Sequence, residues 1–462
     1  DNDIIIREGK GSHVWDEDGN RYIDYLIGSG PMLLGHGNQE VMEAIFEQLP
    51  LGMTFFANNS KGIELAEEIC SAVTCAEQVR YVSSGGEADM YAMRLARAYS
   101  GKEKILKFEG GYHGMSAEAQ MSLSPSVSVN FPQAVPDSAG IPESVRDDML
   151  IAPFNDLEYI HSLLEEHSQS IAAIIVEPLQ RIIPAIPGFL QGLREACTKY
   201  GVLLIFDEIV TGFRLAYGGA QEKYSVIPDI CTLGKIIGGG FPLAALAAST
   251  EIMKHFDKAI VGSDKWLMQL GTLSGNPIAA VAGLKTMEIL RRDGMFDKLR
   301  NRGKMLMEMQ HTALNNEGIP HQIVGDPTLF DVLFIDQKVK NRSNMYTPKD
   351  TRYACAGVYK LKGIKNPIDV YMVGITIESL QPPGNSDKVK KIAGPKKIKS
   401  RARDRKIKEW FWYIYPKLGI LSFIYLLTVV WPTLSRESTR RVLKIDNYFF
   451  WVDYINIIIN FL

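Results

Sequence analysis

The stretches AAIIVEP (residues 172–178) and GVLLIFDE (residues 201–208) decide the fold class. Both are continuous apolar runs, the pattern of parallel strands that helices cover on both faces. Between them, residues 188–200 place apolar side chains at helical spacing. A strand, a helix and a second strand in this order predict a right-handed crossover, and therefore an α/β protein in which helices are layered on a central sheet.

Further segments add elements to this layered domain. VWDEDGNRYIDYL (residues 14–26) predicts two short strands around a turn at Asp18–Gly19. The periodicity of apolar residues predicts helices over residues 41–49, 63–73 and 87–99, and a strand in KILKF (residues 104–108). Residues 122–148 contain four prolines and predict a long loop.

The composition is that of a globular chain with room for several domains: 462 residues, 46% hydrophobic and 23% charged. Five cysteines without metal-ligand spacing predict reduced thiols, no metal site and a cytoplasmic location. The first 20 residues lack the basic start and apolar centre of a signal peptide.

The charge is unevenly distributed along the chain. Residues 388–462 contain 16 Lys and Arg against 5 Asp and Glu, whereas the other residues contain 35 against 48. The acidic body argues against nucleic acid as a partner. The tail also contains an apolar run at residues 418–431, which is shorter than the roughly 20 residues that span a bilayer. A membrane-attached, non-catalytic protein and a tail of unrelated origin stay open as alternatives.

A lysine in apolar surroundings is the first candidate for chemistry. TLGKIIGGGFPLAA (residues 232–245) places Lys235 beside two isoleucines and before three glycines. Desolvation lowers the pKa of a lysine and makes its amine a nucleophile that can form a Schiff base. Lys235 in an ordinary loop beside a flexible turn is the alternative.

Two carboxylates close the buried strands, at the edge where α/β proteins bind ligands: Asp207 and Glu177. A buried carboxylate needs a cationic or hydrogen-bonding partner. That partner is a cationic ligand, or alternatively a helix N-terminus or a salt bridge with Arg214.

Two glycine-rich stretches suggest further ligand contacts. SSGGEADMYAMRLARAYSG (residues 83–101) places small residues before a helix, where free N–H groups favour a phosphate. GGYHG (residues 110–114) sets Tyr112 and His113 in a tight turn, where an aromatic ring can stack on a planar ligand. An ordinary helix start and a core tyrosine–histidine pair are the alternatives.

A lysine, a carboxylate, a phosphate site and a stacking ring are together what pyridoxal phosphate requires. The chain resembles the class III, fold type I, pyridoxal-phosphate aminotransferases, and most closely the branch that contains glutamate-1-semialdehyde aminomutase. The matching motifs follow the family order over residues 10–336, and include LLIFDEIVTGFR, PDICTLGKIIGGGFPLAA and GTLSGNPIAAVAGL.

The resemblance implies a fold and a domain plan. The fold is a mainly parallel central sheet with helices on both faces, plus a smaller α+β domain. Residues 1–50 would form the N-terminal part of the small domain, without the family's first segment, and residues 51–290 the large cofactor-binding domain. Residues 291–387 would form a degraded C-terminal small domain, and residues 388–462 an unassigned tail.

The resemblance also implies roles for individual residues. Lys235 would form the Schiff base and act as the general base, and Asp207 would pair with the ring nitrogen. The other implied contacts are Ile209 and Tyr112 on the two ring faces, His113 beside the cofactor, Ser84, Gly85 and Gly86 at the phosphate, Thr272 at the phosphate of the neighbouring subunit, and Ser29 and Gly30 on the substrate side. Sharing of Thr272 implies a homodimer with joint active sites.

The implied function is transfer of an amino group between an amino acid and a keto acid or aldehyde, with pyridoxamine phosphate as the other cofactor form. The alternative is the intramolecular aminomutase. The sequence differs from the family pattern at two places. Gly86 stands where the family carries Thr or Ser, and LQRIIP (residues 179–184) differs from the aminomutase pattern.

Overall fold

The structure, a computed structural model, describes residues 4–124, 130–334 and 339, and the backbone of residues 352–361, 368–374 and 389–393. The chain divides into two compact units, Asp1–Tyr346 and Thr347–Leu462. In the second unit, the described strands form an antiparallel sheet in the order β16-β15-β17. Its strands are β15 (Arg352–Leu361), β16 (Ile368–Gly374) and β17 (Val389–Ala393).

The first unit alternates strands and helices along most of its length. Its described strands are β1 (Ile6–Lys10), β2 (His13–Asp16), β3 (Arg21–Ile23), β4 (Gln78–Val82), β5 (Lys104–Phe108), β6 (Met149–Ala152), β7 (Ile171–Val176), β8 (Leu179–Gln180), β9 (Ile183–Pro184), β10 (Leu203–Glu208), β11 (Ile230–Leu233), β12 (Ala244–Ala248), β13 (Gln322–Asp326) and β14 (Leu329–Leu333). Its described α-helices are α1 (Gln39–Gln48), α2 (Ser60–Ala72), α3 (Gly85–Ser100), α4 (Glu143–Asp147), α5 (Leu157–His167), α6 (Phe189–Tyr200), α7 (Gly219–Tyr224), α8 (Thr250–Met253), α9 (Lys258–Val261), α10 (Pro277–Leu290) and α11 (Met295–Asn316).

A seven-stranded sheet forms the centre of this unit, in the order β4-β12-β11-β10-β7-β5-β6. Adjacent strands from β11 to β6 are parallel, whereas β12 is antiparallel to both of its neighbours. The mainly parallel sheet is thus confirmed. β12 reverses because it returns from β11 through the short glycine-rich connection of residues 234–243.

Both faces of the sheet are buried, as the continuous apolar runs predict. On one face, Val176 and Phe206 pack in a core with side chains from α2, α5 and α6. On the other, Ile175 and Ile205 pack in a core with side chains from α3. Neighbouring strand residues point to opposite faces, so helices are needed on both, and the predicted layers are confirmed.

The sequence-based elements agree closely with the observed ones. The strand over residues 104–108 is β5, and the helix over residues 188–200 is α6, which begins at Phe189. The proline-rich loop over residues 122–148 is interrupted by the short helix α4, so the prediction of an uninterrupted loop is wrong there. Residues 125–129 of that loop lie outside the described residues.

The remaining sheets of the first unit are small and antiparallel. β1, β2 and β3 form one sheet around the predicted Asp18–Gly19 turn, and β13 pairs with β14 after α11. The domain boundaries at residues 50, 290 and 387 stay predictions. The apolar run at residues 418–431 lies outside the described residues. Within the described chain, no helix combines the length and apolar character that crossing a membrane requires.

Candidate active site

The carboxyl ends of the parallel strands bring the predicted residues to one edge of the sheet. Asp207 lies near the end of β10, and Glu177 directly follows β7. Lys235 follows β11 after one glycine, in a short 3₁₀ helix, Lys235–Gly238. The loop after β5 carries Tyr112 and His113. This is the edge at which α/β sheets bind ligands.

Lys235 is half-buried at this edge and has an unusual backbone conformation, with φ of 47°. Its Nζ donates a hydrogen bond to the Ser29 carbonyl oxygen at 2.5 Å. Burial lowers the pKa of Lys235, and the positive charges of Arg214 and Arg181 lower it further. Burial thus lowers the pKa of this amine in the direction that the sequence predicts, and Ser29 lies beside it. The place of Ser29 on the substrate side stays a prediction.

Asp207 is buried, and each of its carboxylate oxygens accepts a hydrogen bond. Its Oδ2 accepts from His113 Nδ1 at 2.7 Å, and its Oδ1 accepts from the Ile209 amide at 3.1 Å. A salt bridge with Arg214, the alternative from the sequence, is not formed. Arg214 Nε instead donates to the Val210 carbonyl oxygen at 3.0 Å, and another of its nitrogens donates to the Gly30 carbonyl oxygen.

Two other buried carboxyl groups, those of Glu177 and Asp89, lie near Asp207 and have raised pKa values. Burial, followed by the charge of Asp207, raises the pKa of Glu177 to about 8. The same two causes raise the pKa of Asp89, whose Oδ1 accepts a hydrogen bond from Thr232 Oγ1 at 2.6 Å. A bound cation would stabilise the ionised carboxylates. The negative charge of these groups therefore favours binding of a protonated ring nitrogen at this site.

Glycines allow the backbone around the site to approach closely. A Cβ on Gly114, where φ is 87°, would lie 2.3 Å from the Gly86 Cα. This contact holds the GGYHG turn against the start of α3. A Cβ on Gly85 would lie 3.0 Å from Ile209 Cγ2, and one on Gly234 would lie 3.1 Å from Ile209 Cδ1. Ile209 therefore lies between the helix start and the lysine loop.

The start of α3 has the features of an anion site. Ser84 is the N-cap and accepts a hydrogen bond from the Glu87 amide, while the Glu87 carboxylate accepts from the Ser84 amide in a capping box. Among the described residues, the amides of Gly85 and Gly86 make no hydrogen bond. These two N–H groups lie at the positive end of the helix dipole, where a phosphate binds favourably.

Tyr112 and His113 occupy different environments. Tyr112 is 37% exposed, and its amide donates to Glu177 Oε2 at 2.9 Å. His113 is buried, and burial lowers its pKa. His113 Nε2 has no hydrogen-bond partner among the described residues. The ligand atoms of Asp89, His113 and Asp207 all lie within 4.8 Å of one another, and the absence of a metal stays a prediction.

Thr272 is not brought to Lys235 by any contact of the described chain. It is exposed, and its carbonyl oxygen accepts a hydrogen bond from Thr54 Oγ1 at 3.1 Å. A role at the phosphate of a neighbouring subunit stays a prediction.

Several charged residues near the site were not predicted as functional. Lys107 is fully buried on β5, and its Nζ donates to the carbonyl oxygens of Ala119 at 2.8 Å and Met121 at 2.7 Å. Burial lowers the pKa of Lys107 to about 7. The sequence KILKF already shows Lys107 between apolar residues of a strand, and this pattern could have indicated its burial. Asp89 sits on the inner face of α3, and Arg181 lies in the β8–β9 turn.

The comparison with protein families agrees with this site. A model described as Aminotransferase class-III matches residues 1–369. The chain belongs to the class-III aminotransferases. The family resemblance found in the sequence is thus confirmed, and with it the fold and the assignment as a pyridoxal-phosphate-dependent enzyme.

Relatives and solved structures support the family assignment. Glutamate-1-semialdehyde 2,1-aminomutase 2 of Brevibacillus brevis is 40% identical over 78% of this chain and 83% of its own. An omega-transaminase from Sphaerobacter thermophilus is 35% identical with a TM-score of 0.71, over 75% of this chain and 80% of its own. A transaminase solved with PLP bound is 30% identical with a TM-score of 0.67, over 73% and 79%.

The residues of this class-III aminotransferase fit pyridoxal phosphate. The carboxylate of Asp207, crowded by other acids, suits the ring nitrogen. The free amides of Gly85 and Gly86 suit the phosphate, and the amine of Lys235 suits the carbonyl of the cofactor. The groups that would bind the ring nitrogen, the phosphate and the carbonyl carbon of the cofactor therefore all lie at one edge of the sheet.

Proposed function

We propose that this class-III aminotransferase moves an amino group between an amino acid and a keto acid or aldehyde, with Lys235 as the residue that moves the proton. The observation that carries the proposal is the meeting of a lysine of lowered pKa with the buried Asp207–His113 pair at one edge of the sheet. A nucleophile and an anion fixed in this way match the needs of a pyridoxal-phosphate site.

Each part of the site then has a task. Asp207 would hold the ring nitrogen protonated, and the His113 hydrogen bond at 2.7 Å fixes the orientation of that carboxylate. Ser84, Gly85 and Gly86 would hold the phosphate at the start of α3. Ile209, held between two glycine contacts, and the half-exposed Tyr112 would hold the ring.

Lys235 provides the acid–base chemistry. Bound pyridoxal phosphate supplies a carbonyl that takes up the amino group and a ring that accepts the electron pair left at the substrate carbon. Because burial and nearby arginines lower the pKa of Lys235, a larger fraction of its amine is neutral and able to accept the proton. The hydrogen bond to Ser29 keeps the amine near the Ser29–Gly30 turn, which we assign to the substrate side.

We also propose a homodimer with shared sites. The segments around Thr54 and Thr272 are joined by their hydrogen bond, and both expose large apolar side chains. Among these side chains, Leu51 is 71% exposed, Phe56 is 68% exposed and Leu270 is 65% exposed. Such an apolar surface favours burial against a second copy, and the exposed Thr272 hydroxyl would then face the partner's phosphate. Among the described residues, the four cysteines are free and buried or partly buried, which supports the predicted cytoplasmic location.

The second candidate is an aminomutase, favoured by the 40% identical relative that carries that name. Both reactions use the same cofactor residues, and stoichiometry separates them. A transaminase that receives only one amino compound stops after one turnover per site, because the amino group stays on the cofactor. An aminomutase continues with glutamate semialdehyde alone.

The experiment that tests the proposal measures this single turnover. Purified protein loaded with pyridoxal phosphate is mixed with an amino donor, and the carbonyl product is counted per site before and after addition of a keto acid. We expect one equivalent without the keto acid and continuous turnover with it. Lys235→Ala should bind the cofactor and give no product. Turnover by Lys235→Ala equal to wild type would refute the proposal.

A further inference from the structure

The β8–β9 hairpin contains an arginine in a backbone conformation that disfavours it. Leu179 pairs with Pro184 and Gln180 with Ile183, so Arg181 and Ile182 form a two-residue turn. Arg181 has a φ of 60°. Tight hairpins place glycine, asparagine or aspartate at positions with positive φ, because other side chains cost about 1 kcal/mol or more there. An arginine in this energetically unfavourable backbone conformation indicates a functional role for its side chain.

The hairpin is attached directly to the active site. It begins two residues after Glu177, which accepts the Tyr112 amide at 2.9 Å. Gln180 Nε2 donates to the Glu109 carbonyl oxygen at 2.7 Å, just before the GGYHG turn. The Arg181 Cζ lies 5.1 Å from the centre of the Tyr112 ring. Arg181 is therefore stacked on the aromatic residue that we assign to the cofactor.

Arg181 is exposed, and its guanidinium has no polar partner among the described residues. In the described part of the chain it makes no hydrogen bond and no ion pair, and its contact is the stacking on Tyr112. The neighbouring carboxylate of Glu177 is turned to the Tyr112 amide. Stacking on a ring orients the planar guanidinium and leaves its N–H groups free at the edge.

The charge of Arg181 also reaches the reacting lysine. It contributes to the lowered pKa of Lys235, after burial and Arg214, and it partly offsets the raised pKa of Glu177. The Arg181 guanidinium acts on the charge of the catalytic amine and has N–H donors available. It could therefore bind an anionic group of the substrate. A carboxylate is the partner that a guanidinium binds through two parallel hydrogen bonds.

We propose that Arg181 is a specificity-determining residue that binds the carboxylate of an amino-acid substrate. The inference rests on the proposed transaminase function and deepens it, because it names the residue that would select amino-acid donors over amines without a carboxylate. The strained turn presents the guanidinium beside Tyr112.

The test compares donors that differ only in the carboxylate. Holoenzyme is mixed with phenylalanine or phenethylamine, and with β-phenylalanine or 1-phenylethylamine, and conversion of the bound cofactor is followed by absorbance. The variants are Arg181→Gln, Arg181→Lys and Arg181→Gly. The control is Lys199→Gln, which removes an exposed cation stacked on Tyr200 at 4.8 Å on the surface of α6.

We expect Arg181→Gln and Arg181→Gly to lower kcat/KM about ten- to a hundredfold for the two carboxylate donors, the scale of a lost charge-assisted hydrogen bond. The two amines should lose far less, because for them the variants change only the charge that Arg181 contributes near Lys235. Arg181→Lys should lie between wild type and Arg181→Gln with the carboxylate donors. Arg181→Gly should melt at the same or a higher temperature, because glycine relieves the strained φ. Lys199→Gln should match wild type with all four donors.

Two results would overturn the inference while leaving the transaminase proposal intact: an equal loss with amines and carboxylates, or no loss with carboxylates. An equal loss accompanied by a lower melting temperature in Arg181→Gly would assign Arg181 to the stability of the hairpin. A wild-type holoenzyme that converts its cofactor with none of the four donors, nor with other amino acids, would overturn the proposed function and this inference with it.

Discussion

Replacing Glu177 with glutamine should remove a pH-dependent loss of stability. Glu177 is buried, and burial together with the charge of Asp207 raises its pKa to about 8, from an ordinary value of 4.5. The folded state therefore holds a proton between these two pH values that the unfolded state releases. The stabilisation from this proton is fully present below pH 4.5, and it is lost as the pH rises through about 8.

The magnitude follows from the difference between the two pKa values. Each pKa unit corresponds to about 1.4 kcal/mol, so the full difference gives an upper bound of about 5 kcal/mol above pH 8. Glutamine keeps the shape of the side chain and an oxygen for the Tyr112 amide, and it never ionises. Glu177→Gln should match wild type near pH 5 and exceed it in unfolding free energy near pH 9, by an amount below this bound.

The assay is urea denaturation of cofactor-free protein at pH 5, 7 and 9, because a bound cation would change the pKa of Glu177. The control is Glu165→Gln at an exposed position on α5. That variant should differ from wild type by the same small amount at every pH. A stability difference between Glu177→Gln and wild type that does not change from pH 5 to pH 9 would refute the reasoning.

Three further predictions concern the cofactor site. Asp207→Asn should fold normally and lose at least about tenfold in turnover, since a charge-assisted hydrogen bond contributes about 1.5–3 kcal/mol; steady-state kinetics near the wild-type rate would contradict this role. Gly114→Ala, whose Cβ would lie 2.3 Å from the Gly86 Cα, should lose more unfolding free energy than the control Gly101→Ala, which has positive φ but open space; equal losses in urea titrations would contradict the predicted clash. Thr272→Ala should weaken cofactor binding by about 1–3 kcal/mol, and cofactor retention should fall as wild-type protein is diluted; a monomer that retains all its cofactor would contradict sharing.

The layered fold could be predicted because its evidence is local. Continuous apolar runs such as those of β7 and β10 require cover on both faces, and their order around α6 fixes a parallel pairing. The reversed direction of β12 could not be predicted. Its sequence is as apolar as that of a parallel strand, and only the length of the preceding connection limits its direction.

The site was predictable where strand ends placed its residues. Asp207 lies near the end of one apolar strand and Lys235 follows another after one glycine, so their position at one edge follows from the sheet. Asp89 was missed because a helix residue reveals its burial only through its neighbours. Arg181 was missed because its strained φ depends on the pairing of two very short strands, which carry little signal in the sequence.

The covalent link between cofactor and lysine tests the central claim most directly. Protein loaded with pyridoxal phosphate is reduced with borohydride and digested, and the modified lysine is identified by mass spectrometry. The chain offers another lysine of lowered pKa as an internal comparison, the buried Lys107. We expect the cofactor mass on Lys235 alone; cofactor mass on Lys107 or another lysine with Lys235 unmodified would contradict the account.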